Sequence, residues 1–186
     1  MKKFKLRWVD KVKKYAIKLY DKNDMVHGWS HIVAVRNNAL KLQKVLGGNK
    51  EIIEIATYLH DCDYSKGIKV HAERSAEKAS KFLNSVHYPK TRQVIESILN
   101  HAKHLHKSDA SLEAKILFDA DTMETTKPHG ILRVVIYNRN LPYKEMMKKV
   151  QYYCIDAYKE FYFDESRKMI KKDYDKVKKI IEDLKK

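Results

Sequence analysis

The sequence is poor in residues that interrupt helices, with five glycines and three prolines among 186 residues. Strictly alternating apolar and polar runs, the pattern of a half-buried strand, are also scarce. Long stretches instead consist of alanine, glutamate, lysine, leucine and isoleucine, most of which favour helices. The hydrophobic share of 44% argues against disorder, although 34% of the residues are charged. The composition therefore predicts a folded, almost wholly helical protein.

Cysteine is nearly absent, and long apolar runs are missing. Cys62 and Cys154 lie far apart and form no Cys-x-x-Cys pair, so we expect no disulfide framework and a cytoplasmic location. No apolar signal core follows the charged amino terminus. No run approaches the roughly 18 consecutive apolar residues that a membrane-spanning helix needs. We therefore expect a soluble protein with no membrane partner.

Acidic residues are outnumbered by basic ones, 24 to 39, which gives a formal net charge of +15. This excess favours encounters with polyanions such as nucleotides, nucleic acids or anionic surfaces. The lysines are scattered along the chain and dense at both ends, and there is no zinc-finger spacing, arginine-rich reader helix or aromatic RNA-binding motif. We expect any nucleic-acid binding to be weak, non-specific and strongly dependent on salt.

Apolar residues recur at helical spacing along most of the chain. The glycine pair in "GGN" and the Tyr88-Pro89 step are typical breaks between helices. We find no internal repeat or low-complexity linker, so the pattern predicts a single all-α domain over residues 1–186 with about eight or nine helices. The predicted helices span residues 5–21, 30–46, 50–61, 71–85, 90–105, 111–126, 129–139, 143–162 and 165–185.

Several imidazoles and carboxylates fall on helix faces that are otherwise apolar. One such residue alone is usually a core histidine bonded to a backbone carbonyl, because buried polar groups generally find partners. A set that converges on one place has another explanation, because a divalent cation binds imidazole nitrogens and neutralises carboxylates. The pattern predicts a metal site built from residues of this set: His31, His60, Asp61, His71, His101 and Asp121.

The segments "HIVAV" at 31–35, "HD" at 60–61 and "DAD" at 119–121 resemble the ordered H…HD…D signature of the HD-domain metal-dependent phosphohydrolases. The chain is most similar to their small, single-domain bacterial and archaeal members, and the resemblance extends over about residues 25–182. It implies a compact helical bundle and hydrolysis of a phosphorylated small molecule, with a nucleotide as the expected substrate and partner.

The resemblance implies a first group of metal ligands: His31, His60, Asp61 and Asp121. Binuclear members take two further histidines from the helices between "HD" and the last aspartate, where this chain has His71 and His101. One or two divalent ions are therefore expected. Mixed nitrogen and oxygen ligands leave Mn, Fe, Ni, Co, Zn and Mg open.

Two positions need separate comment, the last metal ligand and the residue at position 34. Asp121 is preferred over Asp119 because "ADTM" is similar to the family's segment and because Asp121 shares a helix face with Leu117 and Phe118. Many members have an arginine three residues after the first histidine, where this chain has Ala34. That difference leaves the substrate class open.

Beyond metal ligation by Asp61, Asp63 is a candidate to orient the attacking water or take its proton. The alternative is a loop carboxylate that caps the chain after its helix. We expect Lys66, His104 and Arg133 to contact the substrate or line its pocket, although Lys66 also fits a solvated surface lysine. Two other functions stay open, a basic helical module that binds nucleic acid and a non-catalytic sensor of metal or nucleotide. The sequence does not indicate an oligomeric state.

Overall fold

The computed structural model describes residues 7–20, 24, 26–65, 70–102 and 108–185. Within these ranges the protein has nine α-helices and no strand, which confirms the predicted all-α class. The helices are α1 (Trp8–Ala16), α2 (Trp29–Leu46), α3 (Lys50–Leu59), α4 (His71–Ser85), α5 (Thr91–Leu99), α6 (Leu112–Thr125), α7 (Pro128–Tyr137), α8 (Tyr143–Val150) and α9 (Asp164–Leu184). None of the described helices is both long and apolar enough to cross a membrane.

Local sequence features set several helix boundaries. Gly47 and Gly48 end α2 with φ angles of +84° and +85°, a conformation that costs glycine little. Asn49 then caps the start of α3, because its side chain accepts a hydrogen bond from the amide of Ile52. Ser111 caps α6 in the same way. Pro128 occupies the first turn of α7, where a missing amide hydrogen costs nothing.

The predicted helix over 143–162 is divided in the structure. The α-helix ends at Val150, and the chain continues through a π-helical turn (Gln151–Ile155) and a 3₁₀ helix (Asp156–Glu160). Val150, Cys154 and Ala157 are all fully buried. Their spacing of four and three residues fits an α-helix equally well, so apolar periodicity gave no sign of the change in hydrogen bonding.

The apolar core has two parts that position the site between them. The larger part joins α1 to α6 and includes the fully buried side chains of Ile32, Leu42, Ile53 and Leu59. The smaller part joins α7, α8, the π-helical turn and α9, and its members are Ile131, Val134, Val150, Cys154, Val177 and Ile181. Helix α6 packs against both α2 and α7. Helix α6 therefore connects the two parts of the core.

Candidate metal centre

The structure brings all six predicted ligand residues together. His31 lies in the first turn of α2, and His71 is the first residue of α4. His60 and His101 follow the last residues of α3 and α5. Each of these four helices therefore supplies a residue at or just beyond one of its ends, whereas α6 supplies Asp121 from its interior. We call the assembled group the His/Asp cluster: His31, His60, Asp61, His71, His101 and Asp121.

Two of the imidazoles are oriented by the helices they follow. His60 Nδ1 lies 2.9 Å from the carbonyl oxygen of Thr57, and His101 Nδ1 is similarly bonded to the carbonyl of Ile98. A carbonyl can only accept, so Nδ1 carries the proton in both rings and donates it. Nε2 of each ring then presents a lone pair to the cluster, as a metal ligand must. Both bonds also satisfy carbonyls at helix ends.

One side of the cluster is formed around Oδ2 of Asp61. This oxygen lies 3.6 Å from His31 Nε2 and 3.5 Å from His60 Nε2. Asp121 Oδ1 lies on the same side, 3.1 Å from His31 Nε2 and 3.8 Å from His60 Nε2. Two imidazole nitrogens and two carboxylate oxygens thus face a common point.

The other side is formed around Oδ1 of Asp61. This oxygen lies 3.5 Å from Nε2 of His71 and 3.5 Å from Nε2 of His101. The two imidazole nitrogens are 3.1 Å apart. Asp61 therefore uses a different oxygen on each side, and the two groups of atoms share this one residue.

The donor atoms fit divalent ions by two criteria. Ligands about 2.0–2.2 Å from a common ion are roughly 3–3.6 Å from one another, close to most of the separations in the cluster. Moreover, His60 Nε2 and Asp61 Oδ1 are buried without a hydrogen-bond partner. Burying such atoms unsatisfied is costly, and a bound cation would satisfy both. The cluster could therefore hold metal, and the geometry accommodates two ions.

Burial and mutual contact shift the protonation of the cluster. Burial opposes the charged form of His31, but hydrogen bonding to Asp121 and Asp61 outweighs it and raises the pKa of His31 to about 9. Burial lowers the pKa of His60 to about 4. Burial also opposes ionisation of Asp61, yet the surrounding imidazoles hold its pKa well below the usual range. Asp61 is thus a carboxylate at neutral pH, the form that binds cations.

A cavity of about 700 Å³ opens beside the cluster. Its wall includes five members of the cluster, all except His60, which is fully buried behind them. Arg133 lies on this wall, and its Nη1 donates a hydrogen bond to the carbonyl of Val26 at 3.2 Å. The volume lies within the range typical of sites for small molecules.

The two aspartates of "DAD" have separate surroundings. Asp119 lies away from the cluster and accepts hydrogen bonds from the amides of Tyr162 and Phe163 at 2.9 and 3.1 Å and from the hydroxyl of Ser166 at 2.5 Å. Burial raises the pKa of Asp119 to about 6. Asp119 thus holds the start of α9, and of these two aspartates it is Asp121 that contacts the imidazoles.

The geometry argues against Asp63 as a base that takes a proton from water. Its Oδ2 is 3.0 Å from Nη2 of Arg74, and its Oδ1 accepts hydrogen bonds from the amide and hydroxyl of Ser65. Hydrogen bonding to Ser65 and Arg74 lowers the pKa of Asp63 to about 2 despite partial burial. Asp63 is also not among the described residues that line the cavity. It matches the alternative of a loop carboxylate.

Two predicted residues and one arginine of α2 remain to be placed. Lys66 and His104 lie outside the described residues, so their predicted contacts stay predictions. Arg36, the arginine closest to the position of Ala34, is bound to the buried carboxylate of Glu54. It therefore does not replace the missing arginine of the first helix.

Several residues on the cavity wall were not predicted from the sequence. They are His27, Tyr64, Glu124, Tyr137, Lys149, Tyr152 and Tyr153. Helical spacing in "YYCIDAYKEFYF" favours packing roles for its tyrosines, and Tyr158 does pack, since it stacks on Tyr174 at 3.8 Å. The first two, in contrast, face the cavity from the π-helical turn, and apolar spacing gives no signal for that.

Comparison with known proteins agrees with this fold. The family model of the HD domain matches residues 28–126, more than half of the chain. Bacillus subtilis YpgQ, whose structure was determined in complex with ADP, has 18% identity and a TM-score of 0.76, and the match covers 95% of this chain and 92% of YpgQ. The Lin1889 protein of Listeria innocua has 19% identity and a TM-score of 0.72, with 96% and 93% covered.

A predicted HD superfamily hydrolase from an uncultured Thermotogales bacterium has 25% identity and a TM-score of 0.64, with 96% of this chain and 90% of that one covered. No curated protein matches the chain. The matched segment runs from just before His31 to just after Asp121 and contains every member of the His/Asp cluster. This protein therefore belongs to the HD-domain family, as the sequence resemblance predicted.

Proposed function

We propose that this protein is a metal-dependent phosphohydrolase that acts on a nucleotide or another small phosphate ester. The observation that supports the proposal most strongly is the division of Asp61 between two groups of donor atoms. The first ion would be held by His31, His60, Asp61 and Asp121. The second would be held by Asp61, His71 and His101. Mn, Fe, Ni, Co, Zn and Mg are candidates.

The chemistry of such a site suits phosphoryl transfer. Divalent ions bound there would lower the pKa of a water molecule and polarise a phosphoryl oxygen. Asp61 joins the two groups of ligands. The Nδ1 hydrogen bonds of His60 and His101 fix the direction of the Nε2 lone pairs of these two rings. These bonds orient the cluster before a substrate arrives, which limits reorganisation during the reaction.

Cationic side chains on the cavity wall support an anionic substrate. Among the described residues that line the cavity, Arg133 and Lys149 are cationic. The Arg133 guanidinium is fixed by its bond to the Val26 carbonyl and has further N–H groups that can donate to a phosphate. A nucleotide is the preferred substrate class because the similarly folded YpgQ was determined in complex with ADP.

The experiment is metal analysis followed by phosphate release from nucleoside mono-, di- and triphosphates and cyclic nucleotides. The test variant is Asp61→Asn, and the matched control is Asp175→Asn, which changes an exposed carboxylate on α9. We expect metal-dependent release by the unmodified protein and the control, and loss of both metal and release in Asp61→Asn. Full metal content and release in Asp61→Asn would refute the proposed site. Release from no phosphate ester with any of the metals would refute the proposed activity.

A further inference from the structure

The cavity wall on the side of α7 and α8 differs in character from the His/Asp cluster. It is lined by Tyr137 at the end of α7 and by Tyr152 and Tyr153 of the π-helical turn. We call these three residues the tyrosine wall. The π-helical turn packs against both α6 and α7. The tyrosine wall therefore lies on elements that contribute no member of the cluster.

Aromatic contacts connect the tyrosine wall to the cluster. The ring of Tyr64 lies 4.8 Å from that of His71 and 6.0 Å from that of Tyr137, measured between centroids. His27 stacks on Tyr64 at 3.6 Å and meets Tyr137 edge-on at 5.5 Å. A continuous aromatic surface thus runs from an imidazole of the cluster to the tyrosine wall.

The rings of the tyrosine wall are partly exposed, and the backbone that carries Tyr152 and Tyr153 is anchored in the core. Tyr137 and Tyr152 are 40% and 41% exposed, whereas Val150 and Cys154, on either side of Tyr152 and Tyr153 in sequence, are fully buried. Both belong to the smaller part of the core, and Tyr153 packs against that part. Rings fixed in this way lose little conformational entropy when a planar ligand stacks on them.

The charges around the cavity imply that a nucleobase can bind without metal, whereas a phosphate cannot. The described residues of the cavity wall include three carboxylates, Asp61, Asp121 and Glu124, and three side chains that are cations near neutral pH, His31, Arg133 and Lys149. Without metal these side chains carry no excess of positive charge to attract a phosphate. The tyrosine wall needs no cation, because a base stacks through dispersion and ring electrostatics.

We propose that the tyrosine wall is a stacking subsite for the nucleobase of the substrate, that it binds the base without metal, and that it selects nucleotides over other phosphate esters. The proposal rests on the proposed function, since it assigns the substrate class of that site. Asn138 also lines the cavity beside Tyr137; its Nδ2 donates to the carbonyl of Val134 at 2.8 Å, and its side-chain oxygen can accept a hydrogen bond from the polar edge of a nucleobase.

The test is calorimetric titration of the full chain with adenosine, in EDTA and again with Mn²⁺. We expect similar adenosine binding in both conditions, whereas ribose 5-phosphate should bind only with Mn²⁺. Tyr137→Leu and Tyr153→Leu should each weaken adenosine binding roughly 5- to 150-fold. Tyr153→Phe should retain it, because the stacking ring is kept. The control is Tyr143→Leu, an exposed tyrosine that does not line the cavity.

Three outcomes would overturn the subsite: no saturable adenosine binding, an equal loss in Tyr143→Leu, or an equal loss in Tyr153→Phe and Tyr153→Leu. Failure of the proposed function gives a different result, with adenosine bound but no phosphate released with any of the candidate metals. If the function is correct and the subsite is wrong, nucleotides are hydrolysed and Tyr153→Leu leaves KM unchanged. If both are correct, Tyr153→Leu raises KM for nucleotides and leaves the metal content unchanged.

Discussion

Exchanging each aspartate of "DAD" for asparagine distinguishes a helix anchor from a metal ligand. In Asp119→Asn, one acceptor oxygen must serve three donors, the amides of Tyr162 and Phe163 and the hydroxyl of Ser166. At least one buried donor loses its partner and the others lose a charged acceptor, which costs about 3 kcal/mol in all. For a domain of this size the expected fall in Tm is about 6–12 °C.

Asp121→Asn should give the opposite pattern. Its fall in Tm without metal should be smaller, because His31 can become neutral when the adjacent carboxylate is removed. An ion at about 100 times its Kd stabilises the native state by about 2.7 kcal/mol, or roughly 5–11 °C in Tm. Asp119→Asn should keep this metal-induced rise and Asp121→Asn should lose most of it.

Thermal denaturation in EDTA and in Mn²⁺ measures both effects on the two variants and the unmodified chain. The reasoning is refuted if Asp119→Asn loses the metal-induced rise while Asp121→Asn keeps it. It is also refuted if the two variants are indistinguishable in both conditions.

Three further predictions concern residues around the site. The Asp63→Asn variant should keep the metal content of the unmodified chain and change kcat by less than about twofold. The pair of Asp63 with Arg74 is partly exposed and contributes under about 1 kcal/mol, so its loss should disturb the site little. A tenfold loss of kcat with full metal content would instead support a role as a base. Asn38→Ala breaks buried bonds between α2 and α6 and should lower Tm by roughly 4–12 °C, against less than about 4 °C for Asn100→Ala, which bonds within one helix; equal effects would contradict this. Burial raises the pKa of the Cys62 thiol to about 12, so native protein at pH 8 should resist alkylation that proceeds in urea, and rapid native labelling would contradict the burial.

The helices could be predicted because burial imposes a 3.6-residue period on the sequence. The predicted range 71–85 coincides with α4, and 30–46 differs from α2 by one residue. Helix ends that are set by side-chain hydrogen bonds were harder to predict. The range 90–105 was too long, since Asn100 and His101 bond the carbonyls of Glu96 and Ile98, and α5 ends at Leu99.

The members of the His/Asp cluster could be predicted because each is polar on an apolar helix face. Their mutual arrangement could not, because the choice between Oδ1 and Oδ2 of Asp61 depends on how five helices pack. Sequence proximity to "HD" does not reveal that Asp63 is paired with Arg74, which lies 11 residues further along the chain. The tyrosine wall depends on a π-helical turn, which leaves the same apolar spacing as an α-helix.

The central claim is that Asp61 joins two metal positions in one cluster, and a Mn²⁺ titration followed by native mass spectrometry tests it most directly. The unmodified chain should bind two ions. His71→Ala should bind one, because the first group of ligands is intact, and Asp61→Asn should bind neither in the same concentration range. Two ions bound to Asp61→Asn with the affinity of the unmodified chain would contradict the claim.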